Sequence, residues 1–243
     1  MRIDIISLFP EFIRSFYSHS IIGRARKAGI LDLDVTNPRQ FTYDNHHMAD
    51  DTIYGGGHGM LMKAAPLFAA VESVRREVPK RRIIFLGPAG STFTQEKARQ
   101  LATYEQLIFI CGHYEGVDYR VEKYLADETV SVGDYVLTGG EIPAMIVTDA
   151  VARMLPGVLG TSAGAMDDSF YHSLLEYPQY TKPATFRQWS VPTVLTSGNH
   201  KKIAEWRRLA ALHRTQKLRP DLLVKNSFAA SPYIFPPKEQ KGK

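Results

Sequence analysis

Over residues 1 to 155, short apolar runs alternate with stretches of helical spacing, and this alternation narrows the fold more than any other feature of the chain. Arg2–Phe9 reads as a first strand, and Leu31–Thr36 alternates apolar with polar residues. Arg82–Leu86 and Leu107–Cys111 are compact runs of the kind that parallel sheets bury on both faces. Between them Thr94 can accept from free backbone N–H groups, which predicts a helix through Ala102. Pro66–Glu77 and Tyr119–Ala126 are further helix candidates. In the apolar stretch Ile142–Met154, residues Ile142, Met145, Ile146, Asp149, Ala150 and Arg153 fall at helical spacing. The order implies an α/β domain with a mostly parallel sheet. A chain of 243 residues has room for one large domain, or a medium domain and a small one. No run of about eighteen apolar residues is present, so no transmembrane helix is expected. The start, MRIDIISLFPEF, carries acids within its apolar stretch and reads as a strand rather than a signal peptide. One cysteine, Cys111, excludes an intramolecular disulfide and a cysteine-built zinc site, and a cytoplasmic protein is expected.

The texture changes after residue 155. Residues 156–183 are rich in Gly, Ser and Pro with little periodicity, which marks a functional or linking segment. Asn199 can then cap a helix from about His200 to Thr215, with Ile203, Trp206, Ala210 and His213 on one face and Lys201, Arg208 and Arg214 more to the outside. The end, SPYIFPPKEQKGK, is rich in Pro and Lys and reads as mobile. Charge divides at the same place. Residues 176–243 hold 13 basic and 4 acidic side chains, a net of +9, whereas residues 1–175 carry a net of −4. A basic last quarter suits a polyanion such as nucleic acid, or a solvated surface with a lysine-rich tail.

Four glycine clusters stand out: Tyr54–Met60, Phe85–Gly90, Cys111–Gly116 and Gly133–Glu141. The last three each follow a predicted strand. Ligands of open α/β sheets sit at the carboxyl ends of strands, where glycine lets backbone approach them, so a backbone-lined pocket is expected there. None of the clusters is a dinucleotide-binding fingerprint, because the first strand runs into SLFPEF without a glycine. No G-x-x-x-x-G-K-[ST] loop and no Gly-x-Ser-x-Gly elbow occurs. Cys111 reads as a buried apolar residue at a strand end, and the neighbours His46 and His47 read as loop residues rather than metal ligands.

Eight segments occur in a fixed order: Ser7–Phe12, Tyr54–Leu61, Cys111–Asp118, Val132–Glu141, Pro156–Gly160, Asp167–Phe170, Tyr177–Pro183 and Leu195–His200. In these the chain resembles the bacterial tRNA (guanine-N1)-methyltransferases, the TrmD family of the SPOUT class, from about Met1 to about Phe228. The resemblance implies a SPOUT-type parallel sheet with a deep trefoil knot, plus a small helical C-terminal domain. It implies a knotted domain over residues 1–160, a linker over 161–176 that carries a catalytic Asp, and a basic tRNA-binding domain over 177–243. The implied reaction moves a methyl group from S-adenosylmethionine to N1 of guanine 37 of tRNA. The implied assembly is a homodimer with its active site at the subunit interface.

Carried over by motif, the cofactor pocket is implied to comprise Phe85, Leu86, Gly87 and Pro88, then Gly112, then Val132, Gly133, Asp134, Tyr135, Val136 and Leu137, and finally Gly139, Gly140 and Pro143. Glu115 is implied to stand near the reacting methionine moiety and to help place a divalent ion, usually magnesium in the family, without a dedicated metal site. Tyr54 is implied to lie near the target base. Guanine N1 is protonated at neutral pH, so a base must remove its proton, and charge that builds on O6 calls for a cation. The family motif gives these roles to Asp168 and Arg153. Lys201, Arg207, Arg208 and Arg214 are the expected tRNA contacts. Two other readings stand beside this one: another SPOUT RNA methyltransferase, and a non-catalytic RNA-binding protein. His58 and His113 stand in motif slots that can hold other residues in the family, and the loop Thr161–Met166 has no family signature to be matched residue by residue.

Overall fold

A computed structural model describes residues 1–160 and 168–226. The chain divides into two compact units, Met1–Ser162 and Ala163–Lys243. The first runs β1 (Arg2–Ile6), α1 (Pro10–Tyr17), α2 (Ser20–Lys27), β2 (Asp32–Thr36), β3 (Asp50–Asp51), β4 (Leu61–Met62) and α3 (Ala64–Val74). It continues with β5 (Arg81–Thr92), α4 (Gln95–Leu101), β6 (Gln106–Cys111), α5 (Tyr119–Tyr124), β7 (Glu128–Ser131) and α6 (Glu141–Ala152). Five strands form one sheet in the order β2-β1-β6-β5-β7, and every pairing is parallel. The expected α/β class is therefore present.

The sheet is buried on both faces, which is why its strands read as continuous apolar runs. All six residues of β6 are buried. Leu107 and Phe109 face one core with Ile3, Ile5 and Ile84, against α1, α2, α4 and α6. Ile108 and Ile110 face the other with Ile83 and Phe85, against α3 and α5. Successive side chains of a strand point to opposite faces, so one hexapeptide serves both cores. Each fully buried Ile or Leu contributes about 1.5–3 kcal/mol. Asp4 and Gln106, which enter the interior from the sheet, are paired. Gln106 Nε2 donates to Asp4 Oδ2 at 2.7 Å and to the Val74 carbonyl at 2.8 Å. Arg2 closes the other side of the Asp4 carboxylate, with Nε donating at 2.9 Å.

Three expectations need correction. The first strand stops at Ile6 rather than Phe9, because Pro10 opens α1. The glycine cluster Phe85–Gly90 does not follow its strand but lies within β5, where the register against β7 shifts between Leu86 and Ser91. The extra residues bulge out of the ladder. Helix α6 buries Ala144, Val147, Thr148 and Val151, not the stripe from Ile142 to Arg153. It is apolar almost all round, so spacing alone does not choose its inner face.

The second unit holds a two-stranded hairpin, β8 (Thr185–Phe186) and β9 (Trp189–Ser190), then α7 (Thr193–Thr196), α8 (His200–Leu218) and α9 (Pro220–Asn226). The Asn199 side chain caps α8 as expected, accepting from the Lys202 N–H at 3.1 Å. The helix buries Ala211 and Thr215. Ile203, Trp206 and Ala210 are half-buried, but His213 is exposed and Arg208, expected outside, is half-buried. Thr215 Oγ1 accepts from the Leu175 N–H at 2.9 Å, and Ser169 Oγ accepts from the Glu176 N–H at 2.9 Å, so residues 168–176 are tied to α8 and to themselves. The remaining part of the expected linker, 161–167, and the expected mobile tail lie outside the described residues. Among the described residues no helix is long and apolar enough to cross a membrane.

Candidate active site

The three parallel strands β6, β5 and β7 are neighbours, so their carboxyl ends open on the same edge of the sheet. A pocket lies there. The β5 bulge supplies Phe85, Leu86, Gly87 and Pro88. The turn after β6 supplies Gly112, His113, Tyr114, Glu115 and Gly116. The end of β7 and the segment into α6 supply Val130, Ser131, Val132, Gly133, Tyr135, Val136, Leu137, Thr138, Gly139, Gly140 and Pro143. Every residue expected to touch the cofactor lines this pocket except Asp134, and Glu115 joins them. His113, Tyr114, Gly116, Val130, Ser131 and Thr138 were not expected. Four of these stand inside the motifs already singled out; Val130 and Ser131 could be found only by knowing where β7 ends.

The pocket's walls are backbone pressed on backbone. The Gly140 N–H donates to the Gly112 carbonyl at 2.9 Å, and His113 bridges Gly139 in antiparallel fashion. A β-carbon on Gly140 would stand 2.6 Å from Cys111 Cα. That contact is with main chain, which cannot swing aside. Gly140→Ala is therefore expected to abolish ligand binding at this pocket or to lower the melting temperature by several degrees, checked by calorimetric titration and thermal unfolding. One polar atom here is left over: among the described residues His113 Nδ1 is buried without a hydrogen-bonding partner. A buried group of that kind needs a partner, which in an open pocket is a water or a ligand. Its ring is held edge-on between Phe9 and Tyr114, at 4.8 and 4.9 Å between centroids.

Glu115 is positioned by a second glycine loop. Its N–H donates to the Met60 carbonyl at 3.1 Å, and the Met62 N–H donates to the Gly116 carbonyl at 3.1 Å. Gly59, at φ +84°, lies so close that a β-carbon would stand 2.6 Å from Glu115 Cγ. The Tyr54–Met60 cluster thus supports the carboxylate. Tyr54 itself is fully exposed and borders a different cavity, with Lys63, Arg120 and Tyr124. Cys111 is buried; desolvation, with a smaller contribution from the Glu141 charge, pushes its thiol well above the usual range, so it is no nucleophile. Glu141 is itself buried and accepts from Ser7 Oγ at 2.7 Å.

Arg153 closes α6 in the first unit, its N–H donating to the Asp149 carbonyl at 3.1 Å. Asp168 belongs to the second unit. It borders a cavity walled by His172, Glu176, Tyr177, Arg207 and Arg208. Arg207 lies over the Tyr177 ring, 5.0 Å from its centroid. Lys201 and Arg214 stand exposed elsewhere on α8. The expected tRNA contacts therefore divide: two line the Asp168 cavity and two face solvent.

These features define an α/β protein of the open parallel-sheet class, with a backbone-walled ligand pocket at its strand ends and a basic helical unit. Residues 1–225 match the family model described as tRNA (Guanine-1)-methyltransferase TrmD. The tRNA (guanine-N(1)-)-methyltransferase of Dehalococcoides mccartyi strain CBDB1 is 53% identical over 226 residues, covering 93% of this chain and 91% of that protein. Those of Limosilactobacillus fermentum and Geobacillus kaustophilus are 53% and 52% identical, over 92% of this chain and 90% and 91% of theirs. The chain belongs to the TrmD family of tRNA (guanine-N1)-methyltransferases. The family match favours an enzyme over a non-catalytic RNA-binding protein.

Proposed function

We propose that the chain methylates N1 of guanine 37 in tRNA, next to the anticodon, with S-adenosylmethionine held at the carboxyl ends of β5, β6 and β7. The observation that carries this reading is the single pocket that gathers residues from three separate motifs. Its residues fit the donor. Phe85, Leu86 and Leu137 offer apolar walls, the 132–140 segment offers main-chain polar groups, and the unpaired His113 Nδ1 offers one more polar partner. A deep trefoil knot is consistent with the tight passage of the 139–140 backbone against 111–112. When bound, the donor supplies an activated methyl on a sulfonium, so the protein needs no covalent intermediate.

The chain's own residues then have two tasks. Asp168 takes the N1 proton, and Arg153 faces the charge that grows on O6. Glu115, fixed over Gly59, borders the pocket where a divalent ion would need a carboxylate. A lone carboxylate suits magnesium, which keeps most of its water. The enzyme acts as a homodimer, and it works in the cytoplasm. An apolar face supports the dimer. Phe12 and Phe16 on α1 and Ile142 and Ile146 on α6 are between 36% and 51% exposed, although the two helices pack together and Tyr17 bonds Thr148 at 3.3 Å. Monomers rarely leave such a set uncovered.

The decisive experiment is transfer of labelled methyl from S-adenosylmethionine to unmodified tRNA, with the modified atom mapped. Product at a ribose hydroxyl or at another base overturns the reading. The basic helix carries a separate expectation. Lys201, Lys202 and Arg214 are exposed and lie outside the Asp168 cavity. Replacing all three with Ala is expected to lower the slope of log affinity against log salt for tRNA by about 2 to 3, since each phosphate contact releases most of one counterion. Donor affinity should not change, and an unaltered slope would place the RNA contacts elsewhere.

A further inference from the structure

The β8–β9 hairpin of the second unit has no part in the reading so far. Phe186 pairs with Trp189 and Thr185 with Ser190, so the turn consists only of Arg187 and Gln188. Both rings are 58% exposed and belong to neither hydrophobic core. They stand 6.4 Å apart with planes inclined by 34°. The Arg187 guanidinium lies 5.4 Å from the Phe186 centroid and 6.0 Å from that of Trp189. Arg187 has φ +56°, in the left-handed region. Gly or Asn usually takes that place in a two-residue hairpin, and a long side chain there is held at a cost in strain. The base is braced by the Thr185 and Ser190 hydroxyls, 3.1 Å apart across the ladder. The result is a short ribbon that exposes two rings, with the Arg187 cation over one face of each.

Charge chooses the occupant. Residues 176–243 carry a net of +9, and the charged residues nearest the hairpin along the chain, Lys182 and Lys201, are both basic. A polyanion that also has π faces matches rings and cation together. Bases inside a duplex have both faces covered, whereas unpaired bases stack on aromatic side chains and on guanidinium planes. We infer that the Phe186–Arg187–Trp189 hairpin is a stacking platform for an unpaired nucleobase of the RNA substrate, with Arg187 against the adjoining phosphate. The inference rests on the tRNA reading above and adds to it a contact outside the three cavities described.

Trp189 reports on its own contact. The chain has two tryptophans, so in a Trp206→Phe background Trp189 is the sole one. Its fluorescence is expected to be quenched by an unmodified tRNA transcript and to stay unchanged on titration with a fully paired RNA duplex. Trp189→Ala is expected to weaken transcript binding on the order of tenfold at constant salt slope, because a stack is lost but no phosphate contact. Trp189→Phe should recover most of the affinity, which a loss of folding would not allow, and Arg187→Ala should reduce the salt slope by about 1. If the parent protein binds tRNA but Trp189 is not quenched and Trp189→Ala binds as tightly, the platform is overturned while the tRNA reading stands. A parent protein that binds no tRNA overturns both, and it is measured first.

Discussion

Asp168→Asn is expected to lower the single-turnover rate of methyl transfer by at least about a hundredfold, the lower scale for a positioned general base, while donor affinity stays close to that of the parent. The amide has nearly the shape of the carboxylate but cannot take the N1 proton at neutral pH. The separation of effects follows from the fold. Asp168 is in the second unit, beside Arg207 and Arg208, and borders a different cavity from the strand-end pocket. Among the described residues, none that lines the strand-end pocket changes. The rate should be measured with enzyme in excess over tRNA, and donor binding by calorimetry. A parent-like rate in Asp168→Asn would remove the residue from the reaction.

Mixing two inactive proteins should restore activity. Arg153 and Asp168 lie in different compact units, and we propose that the homodimer brings Asp168 of one chain to the pocket of the other. Arg153→Ala should be nearly inactive because its partner charge develops only in the transition state. In a heterodimer of Arg153→Ala with Asp168→Asn, one site has both substitutions and the other has neither. Random pairing makes half the dimers heterodimers, so roughly a quarter of the parent's sites recover under two-fold symmetry. Subunit exchange is followed independently by a fluorescence label on each protein. Complete exchange without recovered activity would mean that each site is made within one chain.

The local elements were largely legible in the sequence. Thr94 and Asn199 each stand where a side-chain oxygen can satisfy a free N–H, and both caps are present, at 3.3 and 3.1 Å. The buried strands β5 and β6 were visible because a sheet covered on both faces selects unbroken apolar runs. The charge split at about residue 176 and the chemistry of each glycine cluster are also properties of the sequence alone. The residues expected at the donor were named through motifs, and all but Asp134 line one cavity.

Which segments meet was decided only in three dimensions. That Phe85–Pro88, Gly112–Gly116 and Val130–Pro143 share a pocket follows from the order β6-β5-β7, and strand adjacency joins residues tens of positions apart that no local pattern relates. Periodicity could not choose the inner face of α6, because a helix apolar all round is oriented by what packs on it; here that is α4, β6 and α1, the last through Tyr17 and Thr148. The run Phe85–Gly90 looked like a turn, since glycine and proline usually end a strand, but β7 pairs with β5 on both sides of it and carries the strand through as a bulge. Arg208 looked solvent-facing from its place on the helix away from Ile203 and Trp206, yet it walls the Asp168 cavity because residues 168–176 are bound against α8 through Thr215. The sequence by itself determined the elements and their chemistry; long-range packing determined their neighbours, and with them the site.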